Sequence, residues 1–206
     1  MAVLAIDTSS AISVALLDNG EVRAHQSAFE PRSHAELLAA MVHSVLDDAE
    51  VSGTDVTRVV VGRGPAPFTG LRVGLMTART LARAWDVPVE GVCSLDALGV
   101  EHGGDVTAIA DARRREVYWA RYESGVRVDG PHVTSPSEVV ITGGVCGRGA
   151  QLYAGALGVE RVYAPIDPDP ARLVDVADSL KKNGDDALDP EPLYLRRPDV
   201  HGAPAS

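Results

Sequence analysis

The sequence predicts an α/β protein of two lobes, the second one reduced, and three observations carry that expectation. Apolar runs cut by turn residues fill the first 28 positions, strands and helical patterns then alternate, and a shorter version of the same order returns from Val106 onward. Val3 to Ile6, Ala11 to Leu17 and Glu21 to Ala28 read as strands, separated by Asp7-Thr8-Ser9-Ser10 and by Asp18-Asn19-Gly20. Asn-Gly favours a tight hairpin turn, so the chain opens as an antiparallel meander. A helix is expected from His34 to Glu50. Ser33 with Glu36 forms a capping box for its first N–H groups, and Pro31 and Gly53 suit its boundaries. Arg58 to Val61 is a short strand of the buried type, Thr69 to Trp85 a second helix, and Val87 to Val92 a further strand.

The second half repeats this in miniature. Val106 to Ala110 is a strand, and Glu116 to Glu123 with Val126 to Val133 makes a hairpin around Ser124-Gly125. Gly143 to Gly149 reads as a Gly-rich loop before a short helix. The last helix spans Ala171 to Lys182, with Asp169 as cap, Pro170 in its first position and Gly184 at its end. From Asp185 the chain is rich in Pro and Asp and is expected to lie extended on the surface, fraying after Val200. The lobes are expected to divide near Glu101-His102-Gly103-Gly104, as 1–101 and 102–206. Three strands, a helix, a strand, a helix and a strand form an α/β lobe, and this order, with an Asp in the first turn, resembles the actin, Hsp70 and sugar-kinase (ASKHA) architecture.

With 206 residues, 45% of them apolar, the chain buries a substantial core. Its two cysteines form no C-x-x-C pair, which suits a reduced, cytoplasmic protein. No basic segment precedes the first apolar run and no apolar stretch approaches membrane-spanning length, so neither secretion nor insertion is expected. Against 19 basic residues stand 29 acidic ones, a formal charge of -10. That is the wrong sign for gripping a phosphate backbone unaided, although an acidic balance equally serves solubility.

Ile6-Asp7-Thr8-Ser9-Ser10 is followed by Val61-Gly62-Arg63-Gly64-Pro65-Ala66-Pro67-Phe68-Thr69-Gly70-Leu71-Arg72-Val73-Gly74. Further on come Gly91-Val92-Cys93-Ser94-Leu95-Asp96-Ala97-Leu98, Asp111-Ala112-Arg113 with Glu116-Val117-Tyr118-Trp119, and Leu193-Tyr194-Leu195-Arg196. In this order and spacing the five segments resemble the bacterial TsaB (YeaZ) family, subunits of the machinery that places threonylcarbamoyl on tRNA adenosine. The resemblance implies the ASKHA fold and a non-catalytic subunit that pairs with TsaD through its two long helices. It also implies homodimers on the same surface when alone, the ATPase TsaE in the assembly, and tRNA met only through the complex.

In that architecture the first hairpin turn meets nucleotide phosphates, and Asp7, Thr8 and Ser9 supply suitable atoms. The same Asp and Ser also make a turn by bonding to their own backbone. Asp111 and Arg113, beside Arg114 and Arg115, occupy the place of the second phosphate turn. Pro67 breaks a G-x-G-x-x-G reading of Gly62 to Gly74 and no Gly-Lys-Ser/Thr follows, so a rigid strand-to-helix turn is favoured there.

Little else offers chemistry. TsaD members carry a His-x-x-x-His metal pair where this chain has Ser94 and Leu98, so no metal and no cofactor are expected. The six histidines lack ligand spacing, no G-x-S-x-G elbow occurs, and Cys93 ends an apolar strand without a basic neighbour. The rival readings are a free-standing ATPase or kinase using Asp7, Ser9 and Asp111, a metal-dependent glycoprotease-like peptidase, and a tRNA-binding module.

Both long helices carry more apolar surface than one stripe. On a helical wheel, the apolar arc of Thr69 to Trp85 covers about 140° and that of the first helix about 200°. Gly70, Gly74, Ala78 and Ala82 recur at steps of four, which would admit another backbone. Partner contacts are therefore expected at Leu37, Met41, Val45, Gly70, Leu71, Gly74, Leu75, Ala78 and Trp85. The alternative is enclosure of both helices by this chain's own sheet and second lobe.

Overall fold

Residues 1–29, 34–184 and 188–196 are described by a computed structural model. At the centre of the first sheet, β1 (Ala2–Asp7) runs antiparallel to β2 (Ile12–Asp18), which turns back into β3 (Glu21–Ala28). On its other side β1 is parallel to β4 (Val56–Gly62), which is parallel to β5 (Val89–Val92). The sheet order is β3-β2-β1-β4-β5. Asn19 and Gly20 take φ of 52° and 83°, the left-handed pair that a two-residue hairpin needs.

β1 and β2 are buried on both faces, which explains their unbroken apolar runs. Leu4, Ile6, Val14, Leu16, Val59 and Val61 form one face, covered by α1 (His34–Asp48) and α2 (Phe68–Trp85) side by side. Val3, Ala5, Ala15, Leu17 and Val60 form the other, covered by α6 (Pro170–Lys182). Asp169 Oδ1 accepts the Ala171 N–H at 2.9 Å, the cap expected for α6.

The second sheet joins β6 (Val106–Asp111), β7 (Val117–Glu123), β8 (Val126–Thr134) and β9 (Gly144–Cys146) in the order β8-β7-β6-β9. Its strand directions repeat those of β3-β2-β1-β4, with one strand fewer. This is the two-lobed ASKHA arrangement with a reduced second lobe. α3 (Ser94–His102) packs between this sheet and α6, while the short α4 (Arg148–Leu152) and α5 (Ala154–Leu157) cover the opposite face.

Three features depart from expectation. α3 is buried over most of its length, so it shows no amphipathic period, and Gly99 inside it faces the Tyr122 ring at a distance that leaves no room for a Cβ. β9 lies within the segment read as a Gly-rich loop. The lobes are also not split at a single point: α6, expected with residues 102–206, packs on the first sheet through Leu173, Val174 and Ala177.

The expected surface tail is a strap. Leu188 is buried in the first lobe, and its carbonyl accepts the Gly91 N–H at 2.8 Å. Leu193 N donates to Arg63 O at 2.8 Å, and Leu193 and Leu195 reach the core of the second lobe. The expected cap at Ser33, Pro31 before it, the segment from Asp185 to Ala187 and the fraying after Val200 lie outside the described residues.

Candidate functional site

The turn between β1 and β2 is tied down by its own side chains. Asp7 Oδ1 accepts from Ser9 N at 2.8 Å and from Ser9 Oγ at 2.6 Å, and Asp7 Oδ2 accepts from Ser94 Oγ at 2.6 Å. The carboxylate is fully buried. Burial raises its pKa above the ordinary 3.8, the Ser9 and Ser94 bonds lower it, and the nearby Asp167 charge raises it further. A Cβ at position 62 would fall 1.8 Å from Asp7 Oδ2, so Gly62 makes room for this carboxylate.

Thr8 Oγ1 donates to Gly70 O at 2.9 Å and lies 2.3 Å from where a Gly74 Cβ would be. The close approach that Gly70 and Gly74 permit is therefore made by this chain's own first turn.

Between the lobes opens a cleft of about 700 Å³. Thr8, Ser9 and Ser10 line it from the first turn, Pro67, Phe68, Thr69 and Gly70 from the start of α2, Asp111 and Arg113 from the β6–β7 turn, and Arg148, Gln151 and Leu152 from α4, with Phe29 at the rim. Four of the five residues expected at vestigial phosphate turns thus meet at one cleft. Asp7 stands behind its wall. The first turn of α2 has no side-chain cap, which leaves its N–H groups to favour negative charge.

The cleft's own charges are largely spoken for. Arg148 forms a two-point pair with Asp167, which also accepts from Ser10 Oγ at 2.5 Å, and the Arg148 guanidinium lies 4.0 Å from the Phe29 ring centroid. Asp111 Oδ1 accepts from Arg113 N at 2.8 Å and from the Tyr153 hydroxyl at 3.2 Å. Phe29, Phe68, Arg148 and Asp167 were not singled out by the sequence. Only the Arg between two glycines at 147–149 offered a signal, and the aromatics offered none.

The helix faces require correction. Met41, Val45, Leu71, Gly74, Leu75 and Ala78 are all buried, and five of the six belong to the core cluster under α1 and α2 with Gly74 held against Thr8. In the chain by itself they leave almost no surface open. Leu37, Gly70 and Trp85 are half-buried, and Trp85 lies against Gly53, where a Cβ would meet its Nε1 at 2.4 Å. What α2 turns outward is Met76, 58% exposed, with Thr80 and Ala84. Two arginines of α2 are held by the strap: Arg72 Nε donates to Tyr194 Oη at 3.0 Å, and Arg79 Nη2 to Pro190 O at 2.9 Å and to Glu191. Tyr194 also stacks on Phe68 with ring centroids 5.1 Å apart.

A family model described as TsaD: tRNA N6-adenosine threonylcarbamoyltransferase matches residues 27–153. An uncharacterised protein of Mycobacterium leprae is 42% identical over 96% of this chain and 55% of its own length. The tRNA threonylcarbamoyladenosine biosynthesis protein TsaB of Escherichia coli is 41% identical over 60% of this chain and 55% of its own length, so the match spans about half of either relative. The solved structure of YeaZ from Pseudomonas aeruginosa superposes with a TM-score of 0.80 at 30% identity, covering 94% of this chain and 99% of that one. The chain belongs to the TsaB/YeaZ family.

In this TsaB/YeaZ chain the positions set against the TsaD metal pair are structural. Ser94 donates to Asp7, and Leu98 is buried against the second sheet. Among the described residues no group of three or more His, Cys, Asp and Glu stands together to hold an ion. Ser13 Oγ lies 3.1 Å from His25 Nε2, but Asp169 approaches that same nitrogen at 4.0 Å, so a nucleophile–base–carboxylate relay is not formed. Burial, then the Asp96 charge, pushes the Cys93 thiol up to about 12. Among the described residues no helix is long and apolar enough to cross a membrane.

Proposed function

We propose that this chain is the non-catalytic scaffold and activating subunit of a cytoplasmic tRNA N6-threonylcarbamoyladenosine (t6A37) synthase. It pairs with a TsaD-family transferase through the outward faces of α1 and α2, with TsaE joining the assembly, and self-associates on that surface when alone. The chain passes from the first lobe to the second near residues 101–104 and brings α6 back to the first sheet, and tRNA is met through the complex. TsaD carries the transfer chemistry, and binding energy at the helices selects its active arrangement.

The observation that carries this reading is the outer side of α2. Met76, Thr80 and Ala84 leave an uncharged strip exposed, although Arg72 and Arg79 beside it are drawn to the strap. The neighbouring turn supports a non-catalytic role, because Asp7 is buried behind the cleft wall and its carboxylate accepts from Ser9 N, Ser9 Oγ and Ser94 Oγ of this chain itself.

The test is co-elution of the chain with its organism's TsaD on size exclusion, beside Met76→Glu/Thr80→Glu. Wild type co-elutes, while the double variant stays folded and elutes apart. Separate elution of wild type and TsaD overturns the pairing.

A second reading, nucleotide binding at a vestigial phosphate site, is favoured by the convergence of Thr8, Ser9, Asp111 and Arg113 on the cleft. Micromolar binding of ATP and magnesium with turnover by the isolated chain, measured by calorimetry and phosphate release, would support an enzyme in place of a scaffold.

A further inference from the structure

Both guanidinium groups that line the cleft already hold a carboxylate. Arg113 Nη1 lies 3.4 Å from Asp111 Oδ2, and Arg148 grips Asp167 at two points, Nε to Oδ1 at 2.8 Å and Nη2 to Oδ2. The second pair differs from the first in what it joins. Asp167 Oδ1 also accepts from Ser10 Oγ at 2.5 Å. Ser10 belongs to the β1–β2 turn of the first lobe and Arg148 opens α4 of the second, so one carboxylate is held from both sides of the cleft. Arg148 reaches the first lobe by a further route, its guanidinium carbon 4.0 Å from the ring centroid of Phe29, just past β3.

Asp167 sits where the chain itself crosses between lobes. Upstream, Tyr163 N donates to Val145 O at 2.8 Å and Gly147 N to Pro165 O at 2.9 Å, which fastens residues 163–165 to β9 and the start of α4. Downstream, Pro170 begins α6, which packs on the first sheet. The Arg148 and Asp167 side chains are 31% and 22% exposed, so salt screens them less than a surface pair, and the two-point contact fixes their geometry. Opening the cleft would pull Ser10 and Phe29 away from Arg148, and Asp167 could then keep only one of its partners.

We propose that Asp167 is a built-in anion of the cleft, its carboxylate occupying the position that a small anionic ligand would take between Ser10 and Arg148 and thereby latching the two lobes at one setting. The cleft is then a fixed groove, and it refuses free phosphate because the donors that would bind it are in use. Asp7 lies close enough behind the wall to feel the Asp167 charge, so a further anion would be repelled as well. The inference is independent of assembly with TsaD, and it runs against nucleotide binding by the native cleft.

The experiment uses the full chain with spin labels at Ser27→Cys on β3 and Ala156→Cys on α5, both exposed positions, while Cys93 and Cys146 are buried and stay unlabelled. Labelled chain is diluted into unlabelled chain, so the distances measured lie within one molecule. This reference should give one narrow distribution, unmoved by phosphate or formate. With Asp167→Ala the distribution broadens toward longer distances and the melting temperature falls by about 2–4 °C. Formate supplies the missing carboxylate, narrows the distribution again and restores the melt. Arg148→Ala broadens it in the same way and gains nothing from formate, because the guanidinium that would hold it is gone. Distributions as narrow as the reference in the folded variants overturn the latch. Equal rescue of Arg148→Ala by formate also overturns it, as a general effect of salt. Phosphate binding by wild type as tight as by Asp167→Ala, measured by calorimetry, overturns the built-in anion.

Discussion

Ser94, at the start of α3, donates its hydroxyl to Asp7 Oδ2 at 2.6 Å across 87 residues of sequence, and its Oγ also accepts the Gly64 N–H at 3.3 Å. One hydroxyl therefore joins the first turn, the β4–α2 loop and α3. It also leaves a buried carboxylate whose cost depends on pH.

Asp7 and Asp96 both have pKa values raised from 3.8, chiefly by burial. A raised carboxylate contributes stability that is fully present below the unfolded value and is lost as pH rises through the folded one. Wild type should therefore gain melting temperature relative to Asp7→Asn as pH is lowered from neutrality toward about 4. Paired thermal melts across that range check this. A difference that shrinks on acidification would contradict the burial of Asp7.

Gly74→Ala sets two effects against each other. Alanine in a helix interior is favoured over glycine by up to about 1 kcal/mol, whereas the new Cβ would lie 2.3 Å from Thr8 Oγ1 and overpacking costs about 1–3 kcal/mol. The clash should win, and the variant should melt lower. With Thr8→Ala the tightest remaining neighbour is Cβ at 3.3 Å, and the same change should become neutral or stabilising. A double-mutant cycle measures the coupling.

Leu75 is 2% exposed and its neighbour Met76 58%. Leu75→Glu should collapse the melting transition or send the protein into aggregates, and Met41→Glu should do the same. Met76→Glu should leave the transition within about 0.5 kcal/mol of wild type. Circular dichroism melts separate the cases.

Burial pushes both the Cys93 and the Cys146 thiols up to about 12. Neither should react with a thiol reagent at pH 8 in the folded protein, and both should titrate in guanidinium. Rapid labelling of either native thiol would show that the cluster around it is open.

The sheets were legible because their strands are short apolar runs ended by turn residues, as at Asn19-Gly20 and Ser124-Gly125. The cleft was legible as far as Thr8, Ser9, Asp111 and Arg113, which sit in turns. The rest of it was not, since Phe29, Phe68 and Leu152 are ordinary apolar residues until the two lobes face each other. α3 escaped because it is buried on most sides and lacks a period, although Gly103 at φ 71° marks its end. The helix faces misled for a different reason. A wheel shows how much of α2 is apolar but not which neighbours fill it, and Thr8 and Gly53, at distant sequence positions, occupy two sides that it left vacant.

The segment from Leu188 to Arg196 bonds the β5 edge, buries Leu188 in the first lobe, packs Leu193 and Leu195 against the second and anchors the β6–β7 turn, so the cleft has its final walls only when these residues are in place. During synthesis both sheets emerge before residues 188–196, so the contacts that this segment makes with each lobe can form only after the strands of both are out. α3 and α6 can bring the two lobes together earlier, and this segment then stitches the arrangement shut.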